Sequence, residues 1–223
     1  MLRIFIGLDP RQPVAYTVLQ SSIIRRASKP VAISPLVLKT LPIKRKGLTE
    51  FTYSRFLVPW LCDFRGTALF LDADMLVLGD IAELFSNQDL DAAVGVVQNK
   101  LRFEWPSLML FNCALCTELT PAVIDNESFD PFKWVYANAG GLDHDWNHCV
   151  GYDLPNPNAK LVHFTQGIPC FPETSDSEFA EEWNDESMKC RMTVSWKAIM
   201  GNSVHAAPVL NRLEQQMMKV AKA

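Results

Sequence analysis

Phe70-Leu71-Asp72-Ala73-Asp74-Met75-Leu76-Val77-Leu78 decides how this chain is read. An apolar run, Ala68 to Leu71, leads into two carboxylates one residue apart, and a second apolar run follows. Continuous apolar residues over four to eight positions fit a strand buried on both faces, as in a mostly parallel sheet. In extended backbone Asp72 and Asp74 point the same way, because side-chain direction repeats every two residues. Two carboxylates at the end of a buried strand are costly unless something pairs them. A hard divalent cation, Mg²⁺ or Mn²⁺, does so and brings phosphate oxygens as further ligands. The same spacing recurs at Asp89/Asp91, in a polar stretch that reads as a solvated turn, and at Asp143/Asp145.

A chain of 223 residues suffices for one domain with a substantial core. Its 48% hydrophobic and 21% charged residues match the globular average, which argues against extended disorder. A formal charge of −4 gives no reason to expect nucleic acid as partner. The cluster Lys39, Lys44, Arg45 and Lys46 is too short to change that, and reads as a solvated loop. Leu2 to Leu8 is interrupted by Arg3 and closed by Asp9-Pro10, so no secretory leader is expected, and no stretch reaches the length of a transmembrane helix. The six cysteines are scattered. Cys113-x-x-Cys116 lacks a second pair at zinc spacing, so free thiols and a cytoplasmic location are expected.

Met1 to Leu8 reads as a first strand and Val14 to Arg26 as a helix with Pro13 in its first turn. Val31 to Leu38 returns to strand, with Pro35 suggesting an edge or bulge. Strand, helix, strand is a βαβ start, and predicts α/β architecture. Asp9 ends the first strand, where such sheets bind ligands; it either accepts from a base or ribose or sits at the helix N-terminus. Thr52 to Leu61 reads as a helix with an apolar stripe beside Arg55. That arginine is a surface ion-pair partner or a cation aimed at a diphosphate or a site carboxylate.

Gly79 to Phe85 reads as a short helical turn, Ala92 to Val97 and Leu108 to Asn112 as strands, and Thr120-Pro121 as a capped helix start. Ala139-Gly140-Gly141 reads as a turn into the acidic, helical segment Asp143 to Asn147, whose carboxylates can also serve as caps. Lys160 to Phe164 is a short strand that carries His163 to its end, where neutral imidazole can join two carboxylates. After Pro172 the chain turns acidic. Trp196 to Met200 and Val209 to Val220 have helical character, read as edge-packed helices or a membrane or partner contact. There are no internal repeats.

Taken in order, Gly7-Leu8-Asp9, Tyr53-Ser54-Arg55-Phe56, Phe70 to Ile81, Met109 to Asn112, Asp143 to Asn147 and His163 to Gly167 resemble the family 8 retaining glycosyltransferases. That group includes glycogenin and lipopolysaccharide galactosyltransferases. The resemblance covers roughly residues 2 to 170 and implies a GT-A type single domain, with a mostly parallel central sheet flanked by helices. Residues 1–172 would form the catalytic domain and 173–223 a C-terminal helical extension packed on it. It implies Asp72, Asp74 and His163 around Mn²⁺ (or Mg²⁺). Gly7, Asp9, Ala73, Asn112 and Gly167 would join Asp72 in holding the nucleotide-sugar: Gly7 and Asp9 at the uracil, Asn112 and Asp143 at sugar hydroxyls, Gly167 at the diphosphate. Arg55, Asp143 and His144 are the catalytic candidates it implies. His144 stands where the family often has an amide, and Gly167-Ile168-Pro169-Cys170-Phe171 lacks the Lys that usually holds the leaving phosphate, marking a divergent member.

The implied reaction is metal-dependent transfer of a sugar from a UDP-sugar to a glycan, lipid-linked or protein acceptor, with retention. No residue identifies itself as a nucleophile, which favours a front-face route. A sugar-phosphate nucleotidyltransferase is the alternative, though Asp9-Pro10-Arg11-Gln12-Pro13 is not its usual Gly-rich basic loop. A non-catalytic nucleotide-sugar binder is another.

Overall fold

The computed structural model describes residues 1–86, 91–100 and 102–193. Asp89 and the expected helical segments Trp196 to Met200 and Val209 to Val220 lie outside the described residues. The elements run β1 (Leu2–Gly7), α1 (Pro13–Arg26), β2 (Val31–Leu36), α2 (Val58–Leu61), β3 (Thr67–Leu71), β4 (Met75–Val77), β5 (Val94–Val97) and β6 (Leu108–Asn112). Then follow α3 (Pro121–Ile124), α4 (Pro131–Asn138), β7 (Ala139–Leu142), β8 (His148–Cys149), β9 (Leu161–His163) and α5 (Ala180–Thr193).

The βαβ start forms as its pattern requires. Pro13 opens α1, and β2, which carries Pro35, is an edge strand. Thr120 caps α3 by accepting from Val123 N. Thr52 to Leu61 is tighter than expected: a 3₁₀ turn over Ser54–Leu57 runs into α2. Ala139-Gly140-Gly141 is strand rather than turn, because β7 pairs in parallel with β5 and sets Gly140 beside Gly95. At this sheet edge a Cβ on Gly141 would meet nothing within 4 Å, so no side chain is needed there.

The main sheet has six strands in the order β2-β1-β3-β6-β5-β7. It is mixed: β1, β2, β3, β5 and β7 run the same way, as expected of a mostly parallel sheet, while β6 runs antiparallel to both β3 and β5. Residues 98–107 join β5 to β6, too short for a parallel crossover of a dozen or more residues, so the chain doubles back. Apolarity gave no sign of this, since β6 is buried on both faces like its parallel neighbours. Ile4, Ile6, Leu69, Leu71, Leu108 and Leu110 face α1, whereas Phe5, Ala68, Phe70, Met109 and Phe111 face the side of Phe56 and Leu57.

A second sheet, β4-β9-β8, carries the chain away from β3. Its outer strand β4 lies against α1, where fully buried Ser22 accepts from Val77 N at 3.1 Å. The acidic segment after Pro172 docks through α5. Trp183 joins the α1-side core, and Glu186, 1% exposed, meets Arg26 at 2.9 Å, Arg25 at 3.5 Å and the Ser21 hydroxyl at 2.7 Å. Among the described residues, no helix is long and apolar enough to cross a membrane.

Arg25 and Arg26 stay partly exposed, so removing Glu186 costs its charge-assisted hydrogen bonds rather than stranding a buried charge. Glu186→Ala is therefore expected to lower unfolding free energy by about 2 kcal/mol in urea titrations. A loss within about 0.5 kcal/mol, the range of ordinary surface substitutions, would show that α5 does not dock on α1 in this way.

Candidate metal centre

The polypeptide leaves β3 at Leu71, bends through Asp72–Asp74 and re-enters strand at Met75. Asp72 N donates to Ser107 O at 2.9 Å, while Ala73 turns into the core and is 6% exposed. The carboxylates thus converge even though the backbone between them is not extended. The antiparallel register Met75↔His163 brings in the histidine, and Phe164 N donates to Asp74 O at 2.9 Å. Two distant stretches meet because β4 starts where the acidic pair ends and β9 ends at His163. Ligand atoms of Asp72, Asp74 and His163 lie within 4.8 Å of one another.

Arg55 takes the second of its two readings, a cation aimed at a site carboxylate. Its Nη2 lies 3.0 Å from Asp72 Oδ1, while Nε donates to Phe51 O at 3.1 Å and Nη1 to Pro106 O at 2.6 Å. The guanidinium lies over Phe70, 4.9 Å from the ring centroid. His163 is 2% exposed, with Nε2 3.4 Å from Asp74 Oδ1 and Nδ1 3.6 Å from Glu104 Oε2. These approaches are electrostatic: Asp72 Oδ1, Asp74 Oδ1 and His163 Nδ1 are buried without an aligned hydrogen bond.

The charges respond to that crowding. Burial pushes Asp72 up to about 7, against the pull of Arg55. Burial also acts on Asp74, but the imidazole of His163 outweighs it and holds the carboxyl below its ordinary range. For His163 burial favours the neutral ring, yet Asp74 and Glu104, with the Cys149 thiol alongside, raise it well above its usual value. Burial raises Glu104 as well. Oxygen and imidazole donors, two of them carboxylates with buried unsatisfied oxygens, are a donor set that fits Mn²⁺ or Mg²⁺.

This cluster floors a cavity of about 490 Å³. Thr49, Thr52 and Thr165 add hydroxyls, and Phe103 and Phe132 form apolar walls. Glu104, also on the lining, carried no motif. Only an antiparallel reading of β6 brings residues 102–107 to this edge of the sheet.

Other expected site residues lie elsewhere. Asn112 is at the wrong end: antiparallel pairing sets it beside Thr67, roughly 16 Å from Asp72 at ~3.3 Å per residue. Gly7 does not border open space, because a Cβ there would lie 2.4 Å from the Phe51 ring. Asp9 binds Arg11, whose Nη2 is 2.6 Å from Oδ2, and this contact holds the Asp9 carboxyl below the ordinary carboxylate range. Asp9 provides no side-chain cap for α1. Asp143 and His144 are exposed at the end of β7, on the same sheet edge as Asp72 but three strands across, roughly 14 Å at about 4.8 Å per strand. Asp143 caps its own turn, accepting from Asp145 N at 2.9 Å. Gly167 has φ +123, which excludes other residues from this bend without strain.

No family model matches the chain. Among solved structures, the WbbM bifunctional glycosyltransferase superposes with a TM-score of 0.64 at 15% identity, covering 95% of this chain and 51% of that one. The glycosyltransferase GlyE of Streptococcus pneumoniae TIGR4 gives 0.61 at 18% identity, covering 90% and 63%. The galactosyltransferase LgtC, solved with donor and acceptor sugar analogs, gives 0.57 at 12% identity, covering 84% and 96%. The chain thus spans about half of WbbM and less than two thirds of GlyE. The fold is an α/β fold with mixed sheets, resembling GT-A-like glycosyltransferases. Protein CDI of Arabidopsis thaliana is 34% identical over 222 residues, covering 82% of this chain and 85% of that protein, and the chain belongs to its family.

Proposed function

We propose that this chain is a divergent family 8 glycosyltransferase, moving a sugar from a UDP-sugar to an acceptor hydroxyl with retention. The observation that carries this reading is the convergence of Asp72, Asp74 and His163, with their buried unsatisfied atoms, at the carboxyl end of β3. The likeness to solved glycosyltransferases supports it. Residues 1–172 would carry the catalysis, with 173–223 as an extension. The acceptor is a glycan, a lipid-linked glycan or a protein. The six free cysteines support a reducing, cytoplasmic setting.

Asp72, Asp74 and His163 would hold Mn²⁺ or Mg²⁺. When bound, such a cation supplies Lewis-acid stabilisation of charge on the leaving diphosphate. Arg55 fixes Asp72 and keeps positive charge beside the diphosphate position, in a chain without a Lys after Gly167. Asp9 would take the uracil once the exposed Arg11 side chain releases it. Asp143 and His144 approach the donor sugar from the same sheet edge. The bond from the anomeric carbon to the β-phosphate oxygen breaks, and a bond to the acceptor oxygen forms on the same face. The acceptor proton passes to the departing phosphate.

With Mn²⁺ and a panel of UDP-sugars, the wild-type protein is expected to release UDP and no pyrophosphate, and Asp74→Asn to abolish release while remaining folded. Pyrophosphate release would favour a nucleotidyltransferase. Tight UDP binding with no turnover on any donor would favour a binding protein.

Arg55→Ala is expected to cost about 3 kcal/mol of stability without metal, since it strands the Asp72 carboxylate. Saturating Mn²⁺ should recover part of that loss, because cation and guanidinium neutralise the same carboxylate. Equal Mn²⁺ stabilisation of wild type and variant in thermal melts would count against a cation beside Asp72.

A further inference from the structure

We infer that Glu104 is a positioning carboxylate that accepts the Nδ1–H of His163 and so offers Nε2 to the divalent cation, an inference resting on the metal centre proposed above. The two ring nitrogens face different partners: Nε2 lies 3.4 Å from Asp74 Oδ1, and Nδ1 lies 3.6 Å from Glu104 Oε2. Glu104 is outside the group whose donor atoms can share one ion, yet its side chain is only 14% exposed and lines the same cavity. His163 Nδ1 is buried and lacks an aligned partner, so a small movement of Glu104 supplies one.

The carboxylate is held where that movement is possible. Ser107 Oγ donates to Glu104 O, and the Asn147 amide reaches the same oxygen at 3.5 Å and Ser107 Oγ at 3.1 Å. Ser107 O in turn accepts from Asp72 N. The segment bearing Glu104 is thus tied to the backbone that bears the acidic pair. His163 is held equally firmly, in the central strand of its sheet, between Met75 and Cys149. Metal-bound histidines commonly give their second N–H to a carboxylate, which selects the tautomer and orients the ring. The Cys149 thiol beside the ring is a weaker acceptor.

The test is Mn²⁺ affinity by titration calorimetry, together with ring ¹⁵N shifts of His163 in the Mg²⁺-loaded, ¹⁵N-histidine-labelled protein. Glu104→Ala should weaken Mn²⁺ binding about 10- to 100-fold. Glu104→Gln should hold affinity within a few-fold, because its amide oxygen accepts the same hydrogen bond. Wild type and Glu104→Gln should both show a protonated Nδ1. Unchanged affinity in Glu104→Ala overturns the inference, as does a wild-type ring protonated at Nε2. That reading needs no variant to fold. A Glu104→Gln loss as large as that of Glu104→Ala also overturns it, making Glu104 a charged ligand. Mn²⁺ binding with this Glu104 dependence but no UDP release would sustain the inference and remove sugar transfer. UDP release with affinity indifferent to Glu104 would do the reverse, and no Mn²⁺ binding at all would overturn both.

Discussion

Asp72, Asp74 and Glu104 share one largely buried space with His163 and Arg55, and the surrounding structure depends on keeping that charge together. Like-charged carboxylates in low dielectric repel strongly, and each unsatisfied oxygen carries a desolvation cost. The protein responds with fixed counter-charge. Arg55 is anchored by two backbone carbonyls before it reaches Asp72, so its position does not depend on the carboxylate it neutralises. His163 is set by strand pairing on both sides. Buried unsatisfied carboxylate oxygens are costly unless something pairs them, and a divalent cation is a partner that this donor set fits.

The two sheets divide the work. The larger one provides an edge at which β1, β3, β5 and β7 all end, and from which Asp9, Asp72 and Asp143 project. The smaller one delivers a single imidazole to that edge. Neither holds the centre alone: β3 without β9 would present two carboxylates to a half-open cavity, and β9 without the bend at Asp72–Asp74 would bury a histidine with no carboxylate but Glu104 to meet. Ser107 ties two loops at this edge together, since its carbonyl accepts from Asp72 N and its hydroxyl donates to Glu104 O.

Much of this was legible in the residues. The βαβ start, the edge character of β2, the acidic pair and His163 all follow from apolar runs, Pro positions and strand ends. Strand direction was not. A fully buried strand reads the same forwards and backwards, so β6 gave no hint that it runs against β3, and Asn112 was assigned to the wrong end of the sheet. Glu104 was missed for the same reason, because reversing β6 is what brings the residues before it to the site. The glycines before Leu142 look like a turn in sequence, and only pairing with β5 makes them a strand. Side-chain competition was less visible: nothing local indicates that Phe51 covers Gly7, and the two-residue spacing of Asp9 and Arg11 does not by itself say that they pair.

The serine at position 22 has a consequence beyond the packing of α1. β4 is an outer strand, short and fully apolar, the kind of edge on which a second chain can template. Its Val77 N–H is already taken by the Ser22 hydroxyl, and α1 lies across that margin. A helix side chain thus stands in for the missing neighbour strand. The small sheet that carries His163 is closed to intermolecular strand addition at this point, without the lysines or prolines that guard many exposed edges.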